Sequence, residues 1–341
     1  MQTKRWTIQP EKPDYQAIRD AAELLRSGRT VAFPTETVYG LGADATNKAA
    51  VSGIFEAKGR PEDNPLIAHV ATKERLHGLV SALPPVAEKL LDTLTPGPLT
   101  VVLPSNGICA GNVTAGLSTI GVRIPEHPVA RELLKACDIP VAAPSANISG
   151  KPSPTTADHV WEDLHGKIAG LVDGGPTGVG VESTVVDCTQ DIPIVLRPGG
   201  ITKEQLEATV GSVMVDPALA NTTENPKAPG MKYTHYAPEV PMWLVAGTPE
   251  NIQAVIDTER GPQKRIGVMA STETADKLKA DRVIPLGSNL REIAAELYDA
   301  LRIFKNGDVD LIVCETFPQT DIGQAIMNRL EKAAASYVDN E

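Results

Sequence analysis

The sequence predicts a mixed α/β protein, in which helices cover a twisted sheet, followed by a smaller α/β domain at the carboxyl end. Short apolar strand candidates separated by Gly and Pro alternate with helical stretches along the chain. Aromatic residues make up only 4% of the 341 residues, so the core must consist mainly of Val, Ile, Leu and Ala, which suits a sheet covered by helices. This length exceeds what a single core usually fills, which favours two domains.

The first predicted helix begins after Asp14, a suitable N-cap, and ends at Arg26. Apolar residues recur in it every three or four positions, and Gly28 supplies a stop signal. Asn47 caps a second, short helix in the same way. This second helix is expected to deliver Lys58 and Arg60 just past its end.

Short apolar runs predict the strands of the first sheet, at 30–33, 99–103, 121–124, 141–143, 170–172 and 184–187. After residue 241 a second set of alternating elements is predicted, with strands at 242–245, 265–269, 282–285 and 311–314 and a helix over 288–306. No internal repeat of fixed period is present, so solenoid and array folds are not predicted.

The change in composition between the two sets of elements predicts a first domain over 1–210, a linker over 211–240 and a smaller domain over 241–341. The beginning of the linker is polar, as spacers are. Its end contains His235 and Tyr236, whose hydrogen-bonding and stacking groups exceed what a spacer needs. We therefore expect the linker to contact the ligand, with the last domain acting as a lid or scaffold.

The net charge argues against a protein that coats nucleic acid. The chain carries a formal charge of −11, and residues 1–210 contain 19 Lys and Arg against 24 Asp and Glu. Nucleic-acid coats normally present a basic surface. Direct RNA binding is therefore expected to be weak or absent.

The cysteine spacing and the hydropathy favour a protein of the reducing cytoplasm. The four cysteines lie far apart without a C-x-x-C pair, so neither a zinc site nor a disulfide framework is indicated. Residues 1–10 contain no apolar segment of the kind found in signal peptides, and no apolar run is long enough to cross a bilayer. We expect a protein that is neither exported nor associated with a membrane.

Two distant segments together predict an anion site. Lys58 and Arg60 flank Gly59, which permits close approach of a ligand to the backbone. If the chain is extended there, both cations leave the same face. A solvated basic turn is the alternative explanation, but the segment 144–150, with Ser and Asn donors, adds the short neutral groups that a polyphosphate site uses.

Residues 40–45, GLGADA, match the relaxed dinucleotide pattern G-x-G-x-x-A after a predicted strand. An acidic residue follows about twenty positions later, at Glu62 or Asp63. A dinucleotide site requires that acid at the end of a second strand, whereas these two lie in a loop beside the basic pair. A dinucleotide site is therefore not favoured, and the G-x-x-x-x-G-K-[ST] pattern of a P-loop is absent.

Seven motifs occur in the first 205 residues, and their order and spacing carry a family resemblance. They are FPTETVYGLG (33–42), EAKGRPEDNPL (56–66), GPLTVVL (97–103), VRIPEHP (122–128), APSANISG (143–150), ESTVVD (182–187) and LRPGGIT (196–202). Together they resemble the YrdC-like family of threonylcarbamoyl-AMP synthases. The segment PGMKYTHYAP and the last third of the chain resemble the longer members, which carry a Rossmann-like second domain.

The resemblance implies a fold and a reaction. The fold would be a YrdC-like twisted mixed sheet with helices, plus a smaller Rossmann-like domain. The reaction would convert L-threonine, bicarbonate and ATP into L-threonylcarbamoyl-adenylate and pyrophosphate, for threonylcarbamoyladenosine modification of tRNA by downstream transfer proteins. Such chemistry needs cations more than a nucleophile, which agrees with the absence of any conspicuous Ser-His-Asp set.

The resemblance also implies the ATP-binding residues. Lys58 and Arg60 would bind the phosphates and are the candidate catalytic residues, and the closing linker would add His235 and Tyr236. The remaining nucleotide-binding residues would be Asn64, Thr119, Ser145, Asn147, Ser153 and Arg197. For two of these a structural role remains open, because Asn64 precedes a proline and can shape a turn, and Arg197 can pair with a surface acid.

The residues implied for threonine are Thr37, His69, Arg123, Ala143 and Ser183. Arg123 is the natural partner of a carboxylate. His69 lies in an apolar, strand-like run, where a satisfied core histidine is the alternative. Mg²⁺ would accompany the ATP phosphates, and Glu36, Asp173 and Glu182 could hold it, although magnesium often uses few protein ligands. No metal ligand can be named from the sequence.

Two other functions fit parts of the pattern. YrdC-like folds also resemble proteins that bind double-stranded RNA through a basic concave surface, so a non-catalytic nucleotide- or RNA-binding module is the main alternative. Carbamoyl-transfer domains of hydrogenase maturation share the fold. The acylphosphatase-like and zinc-finger segments of those proteins are missing here.

Overall fold

The computed structural model describes residues 1–220, 235–261 and 264–339. They divide into two compact units. The first contains 1–149 and 153–220 of the described residues, and the second contains 150–152 together with those from 235 onward. The middle of the predicted linker, residues 221–234, lies outside the described residues, and the domain limits at 210 and 241 stay predictions.

The first unit is a mixed α/β structure. Its strands are β1 (Lys4–Thr7), β2 (Val31–Phe33), β3 (Gly40–Asp44), β4 (Ile67–His69), β5 (Leu99–Pro104), β6 (Thr119–Arg123), β7 (Val141–Ala142), β8 (Gly170–Asp173), β9 (Thr184–Asp187), β10 (Ile194–Arg197) and β11 (Met214–Val215). Its helices are α1 (Tyr15–Arg26), α2 (Lys48–Lys58), α3 (Lys73–His77), α4 (Pro85–Leu94), α5 (Gly111–Thr114), α6 (Pro128–Cys137), α7 (Ala157–Leu164) and α8 (Lys203–Val210), and a 3-10 turn covers Pro217–Ala220. The strands form one sheet in the order β1-β8-β2-β3-β7-β4-β6-β5-β9-β10-β11.

The two N-cap residues that the sequence predicted cap their helices in the structure. The side chain of Asp14 accepts hydrogen bonds from Gln16 N and Ala17 N at the start of α1, and Asn47 caps α2 likewise. Helix α2 includes Lys58 as its last residue and ends at Gly59, which adopts a left-handed conformation with φ of 63°. The chain is therefore not extended from Lys58 to Arg60, so the condition for a shared face of the two cations is not met. Lys58, predicted just past the helix end, is the last helical residue.

The glycine-rich segment at 40–45 contains the whole of β3 rather than a strand-to-helix turn. This strand runs antiparallel to both β2 and β7. Gly42 is required by packing, because a Cβ atom there would lie 2.7 Å from Val141 Cγ1 and 2.9 Å from Phe33 Cε1. The geometry is incompatible with a dinucleotide phosphate loop at this position.

Helices cover the two faces of the sheet to different extents. One face is buried along its length against α2, α4 and α7. The opposite face is buried by α1 and α6 over the part that contains β1, β8, β2, β3 and β7. Further along this second face, strands β4, β6, β5 and β9 present a mixed set of apolar and polar residues. This part of the sheet carries the candidate site.

The second unit is a doubly wound parallel sheet, which confirms the prediction of a Rossmann-like domain in its general form. Its strands are β12 (Met242–Val245), β13 (Ile266–Ala270), β14 (Arg282–Pro285), β15 (Leu311–Glu315) and β16 (Ser336–Val338), all parallel, in the order β14-β13-β15-β12-β16. Its helices are α9 (Pro249–Glu259), α10 (Thr272–Ala275), α11 (Leu290–Ile303) and α12 (Gly323–Ala333). Numbered within the unit, the order is 3-2-4-1-5, which differs from the 3-2-1-4-5 order of dinucleotide-binding sheets.

Helix α11 is shorter than the predicted 288–306, because Asn289 caps its start and the backbone leaves the helical conformation at Phe304. Within 1–220, 235–261 and 264–339, every helix is too short or too polar to cross a membrane.

Candidate functional site

The candidate site is built on a row of residues that crosses the sheet. The strand register places His69 opposite Arg123, Arg123 opposite Thr100, Thr100 opposite Val185 and Val185 opposite Arg197. Residues directly opposite one another point to the same face, and neighbouring strands lie about 4.8 Å apart. Four polar side chains from β4, β6, β5 and β10 are thereby aligned on the face that α1 and α6 leave uncovered.

Arg123 is the centre of a buried polar cluster. One of its terminal nitrogens, Nη1, donates to Thr37 Oγ1 at 3.0 Å, and the other, Nη2, donates to Glu36 Oε1 at 2.6 Å. The second oxygen of Glu36 accepts from the backbone N–H groups of Glu126 and His127 at 3.0 and 3.4 Å. Glu36 therefore fixes the orientation of Arg123 and offsets its buried charge.

The pKa of Glu36 reflects this pairing. Burial alone would raise its pKa, but attraction and hydrogen bonding to Arg123, with help from backbone donors, hold it below the usual value of a glutamate. The carboxylate stays ionised, and the pair remains intact at neutral pH.

His69 is an uncharged member of the row. Burial and the positive charge of Arg123 lower its pKa from 6.5 to about 3. Its Nδ1 lies 3.2 Å from the carbonyl oxygen of Ile67, and its ring meets the edge of Phe33 with the centroids 6.1 Å apart. The imidazole is neutral at physiological pH, so it can hydrogen-bond to a ligand but cannot neutralise a carboxylate.

Ser183 links the row to Arg197. Its Oγ lies 2.8 Å from Thr100 Oγ1, and the Arg197 guanidinium donates to both the carbonyl oxygen and the hydroxyl of Ser183. Ala143 borders the same region, because its N–H donates to the carbonyl of Ile67 at 3.0 Å. The structure thus gathers all five residues predicted for threonine, and it adds Thr100, which the sequence analysis did not select.

Lys58 joins the two segments that the sequence predicted to cooperate. Its ammonium is buried and donates to the carbonyl oxygens of Ser145 and Asn147 at 2.5 and 2.6 Å, and its own carbonyl accepts from Ser149 N at 2.9 Å. The cation fixes the shape of the 144–150 loop. Arg60 lies two residues after Lys58, past the end of α2. Its guanidinium makes long contacts of 3.4 Å with the carbonyl oxygens of Asn64 and Pro65.

Asn64 and Ser153 are buried polar residues with different environments. The Oδ1 atom of Asn64 is buried without a hydrogen-bond partner, a costly arrangement that a ligand donor would relieve. The hydroxyl of Ser153 donates to Glu182 Oε1 at 2.5 Å. Thr119 lies at the other end of β6, four residues from Arg123 and hence about 13 Å away along the strand. The predicted nucleotide residues therefore extend over a larger area than the threonine residues.

His235 and Tyr236 belong to the second unit. Tyr236 is buried, with φ of 65°, and stacks on Tyr298 with the centroids 5.4 Å apart, while the guanidinium of Arg329 lies over its ring at 5.7 Å. The His235 ring lies 5.5 Å from that of Tyr236. Lys232 and Tyr233 lie outside the described residues. Contact of His235 and Tyr236 with a nucleotide stays a prediction.

The three acids considered for magnesium are each bound to a protein donor. Glu36 pairs with Arg123, Asp173 pairs with Arg5 at 2.7 Å, and Glu182 accepts from Ser153. Among the residues that the structure describes, no group of three His, Cys, Asp or Glu could hold a metal ion. A dedicated protein cage for magnesium therefore does not fit these residues.

Comparisons with known proteins cover the whole chain. Residues 23–199 match the Sua5/YciO/YrdC family model, described as "Telomere recombination", and residues 201–335 match the model "Threonylcarbamoyl-AMP synthase, C-terminal domain". The threonylcarbamoyl-AMP synthase of Bacillus subtilis is 52% identical over 345 residues, with 99% of each chain covered. That of Pyrococcus abyssi is 46% identical, with 95% of this chain and 96% of the relative covered.

Solved structures agree with these matches. The crystal structure of P. abyssi Sua5 complexed with L-threonine is 44% identical and superposes with a TM-score of 0.95 over 99% of this chain and 100% of that chain. A His-to-Ala, Tyr-to-Ala double variant of the same protein gives a TM-score of 0.94 over 99% of each chain. With two family models and full-length relatives in agreement, the chain belongs to the threonylcarbamoyl-AMP synthase family in its two-domain form.

Proposed function

We propose that the protein synthesises L-threonylcarbamoyladenylate from L-threonine, bicarbonate and ATP, with release of pyrophosphate. The observation that carries this proposal is the row of His69, Arg123 and Thr100 with its neighbours Thr37 and Ser183. This part of the row combines the buried cation of Arg123 with several neutral hydrogen-bonding groups, which is what a hydroxylated amino acid requires. The name of the full-length relatives supports the same reaction.

The threonine carboxylate would bind Arg123, whose guanidinium is already oriented by Glu36. The hydroxyl and amine of the substrate can then form hydrogen bonds with the hydroxyl groups of Thr37 and Ser183 and with the neutral imidazole of His69. Because His69 carries no charge at neutral pH, it does not compete with Arg123 for the carboxylate. Ala143 would restrict the space for the side chain.

ATP would bind through Lys58 and Arg60, with Asn64, Ser145 and Asn147 supplying neutral contacts. Lys58 holds the 144–150 loop by two carbonyl contacts, so it shapes the donors of this loop as well as adding charge. The other nucleotide contacts that we propose are Thr119, Ser153, Arg197, His235 and Tyr236.

The chemistry requires positioning and charge neutralisation. The threonine amine takes up carbon dioxide derived from bicarbonate and becomes a carbamate. A carbamate oxygen forms a bond to the α-phosphorus of ATP, and the bond from that phosphorus to the bridging oxygen breaks, so pyrophosphate leaves with the electron pair. Fixed cations that face the developing negative charge lower the barrier to such a step.

Magnesium, the compartment and the partners form the remaining part of the proposal. Mg²⁺ would arrive with ATP and neutralise phosphate charge, held mainly by phosphate oxygens and water. All four cysteines are buried and free, which suits the reducing cytoplasm. The product would pass to proteins that transfer the threonylcarbamoyl group to tRNA, and direct RNA binding by this acidic chain would be weak or absent.

The test is pyrophosphate release from ATP, measured with threonine and bicarbonate each omitted in turn. Release should require both. Lys58→Met keeps the apolar stem of this buried residue and removes its charge, so turnover should fall about 10²–10³-fold. Lys48→Met, at the exposed start of the same helix, is the matched control and should turn over normally.

Threonine binding, measured by calorimetry, should survive in Lys58→Met, because the threonine row lies on other strands. Release that does not depend on threonine, or an active Lys58→Met variant, would contradict the proposal. Salt-sensitive RNA binding without ATP turnover would favour the alternative of a binding module.

A further inference from the structure

The second unit contains a crevice whose position follows from its topology. Strands β13 and β15 are neighbours, but the chain leaving β13 runs to β14 at one edge of the sheet, and the chain leaving β15 runs to β16 at the other edge. In doubly wound parallel sheets this divergence opens a space at the carboxyl ends of the two strands, and ligands bind there.

A cavity of about 350 Å³ occupies this position. It is lined by the residues that follow β13 and β15 and by the start of α11, among them Ser271, Ser288, Leu290, Ile293, Glu315 and Phe317. The volume lies within the range of small-molecule sites. One wall is apolar, and the other is formed by hydroxyl and carboxylate groups.

Glu315, the last residue of β15, is the main polar group of the cavity. One of its oxygens accepts from Ser271 N at 2.7 Å, and the other accepts from Thr274 Oγ1 at 2.8 Å. A carboxylate has about four acceptor positions, so these two bonds orient the group and leave capacity for donors of a ligand. Glu273 adds a second carboxylate, which is exposed and pairs with Lys277 Nζ at 3.0 Å outside the lining, and none of the ten lining residues is Lys, Arg or His.

The amino end of α11, which also borders the cavity, does not favour an anion. The side chain of Asn289 accepts from Arg291 N and Glu292 N at 3.1 and 3.0 Å, and Glu292 Oε2 accepts from Ser288 N at 2.7 Å. These backbone donors are thus bound within the protein. The Glu315 carboxylate, which accepts from neutral donors, would repel a phosphate or another anion.

We propose that this crevice binds an uncharged nucleoside, whose ribose hydroxyls donate to Glu315 and whose base lies against Leu290 and Phe317. The acceptors of the polar wall can accept hydrogen bonds from the two neighbouring hydroxyl groups of ribose. The apolar wall can pack against the planar ring of a base. The corresponding nucleotide is excluded, because the Glu315 carboxylate would repel its phosphate group. The site lies within the second unit and does not depend on the reaction proposed for the first.

The test is an NMR titration of the full chain, labelled with ¹³C at the isoleucine methyl groups. The δ1 methyl resonance of Ile293 is followed, and it is assigned by its loss in the variant Ile293→Val. Adenosine should shift this resonance saturably, and AMP should bind at least about tenfold more weakly, because its phosphate would lie in the field of the Glu315 carboxylate. Glu315→Gln should weaken adenosine binding about tenfold by removing a charged acceptor. Glu250→Gln, an exposed carboxylate on α9 of the same unit, should leave it unchanged.

Thr316→Trp, which fills the cavity mouth, is a second variant that keeps Glu315 and its two bonds intact, and it should abolish the shift. The proposal is overturned if adenosine leaves the Ile293 resonance unmoved up to its solubility limit, or if AMP shifts it equally well. It is also overturned if the shift persists in both Glu315→Gln and Thr316→Trp. Pyrophosphate release is unaffected by these outcomes and tests the first unit separately.

Discussion

The polar row of the first unit and the crevice of the second unit use charge in opposite ways. In the row, a buried cation, Arg123, is held by one carboxylate and surrounded by neutral groups. In the crevice, the carboxylate of Glu315 is oriented by neutral donors, and the lining contains no cation. The first arrangement suits an anionic ligand and the second suits a ligand with hydroxyl donors. Two sites built on α/β sheets, one on a sheet face and one at the carboxyl ends of strands, therefore imply different ligand chemistry.

The largest expected effect follows from breaking the pair at the centre of the row. Arg123→Met leaves Glu36 buried without its partner, which should lower the free energy of unfolding by about 3–5 kcal/mol. Threonine-dependent pyrophosphate release should be lost as well. Chemical denaturation and the pyrophosphate assay measure the two effects separately.

A double variant distinguishes the stabilising role of this pair from its role in binding. Glu36→Gln combined with Arg123→Met removes both charges and keeps an acceptor for the N–H groups of Glu126 and His127. Most of the lost stability should return, while activity should not. If the double variant regained activity, the assignment of Arg123 to the threonine carboxylate would be wrong.

The sequence was sufficient for local structure and insufficient for this pair. Asp14 and Asn47 mark helix starts by short-range hydrogen bonds, so α1 and α2 could be predicted closely. The ion pair between Glu36 and Arg123 joins residues 87 positions apart. Its existence depends on strand register across the sheet, which no local pattern encodes. Glu36 was considered only as a magnesium ligand for this reason.

Strand β3 shows a second limit of sequence patterns. The glycines of GLGADA match a dinucleotide pattern that only the placement of Glu62 and Asp63 argued against, and Gly42 is in fact needed for packing against Val141 and Phe33. A glycine motif indicates that another group lies very close to the backbone. It does not indicate whether that group belongs to a ligand or to another strand. Similarly, the crevice at Glu315 arises from the order of the strands and could not be predicted from the element sequence alone.

An intermediate effect is expected from the neutral histidine of the row. In the unfolded chain His69 takes up a proton near pH 6.5, but in the folded protein it remains neutral until its pKa of about 3. The unfolded state therefore binds an extra proton between these values, and stability falls as the pH decreases below 6.5. The loss approaches 1.4 kcal/mol per pH unit, or about 2 kcal/mol between pH 6.5 and 5.

Denaturation at these two pH values tests this expectation. His69→Gln should reduce the acid-dependent loss by about 2 kcal/mol, whereas His77→Gln, on the exposed surface of α3, serves as the matched control and should leave the loss unchanged. Burial also lowers the pKa of His127, so part of the pH dependence should remain in His69→Gln. An identical pH dependence in His69→Gln and the wild type would show that His69 is protonated in the folded protein.

The smallest effect should come from the second unit, away from both sites. Thr248 Oγ1 accepts from Asn251 N at 3.4 Å at the start of α9, so Thr248→Ala should lower the free energy of unfolding by about 0.5–1 kcal/mol. Thr258→Ala removes the same hydroxyl group within the same helix, where it donates to the carbonyl of Ala254 at 2.7 Å, and should be nearly neutral. Both variants should release pyrophosphate at the wild-type rate, because neither residue belongs to the row or to the crevice. A large loss of turnover in Thr248→Ala alone would mean that the fold of the second unit controls the chemistry of the first, and the two regions could then no longer be treated as independent sites.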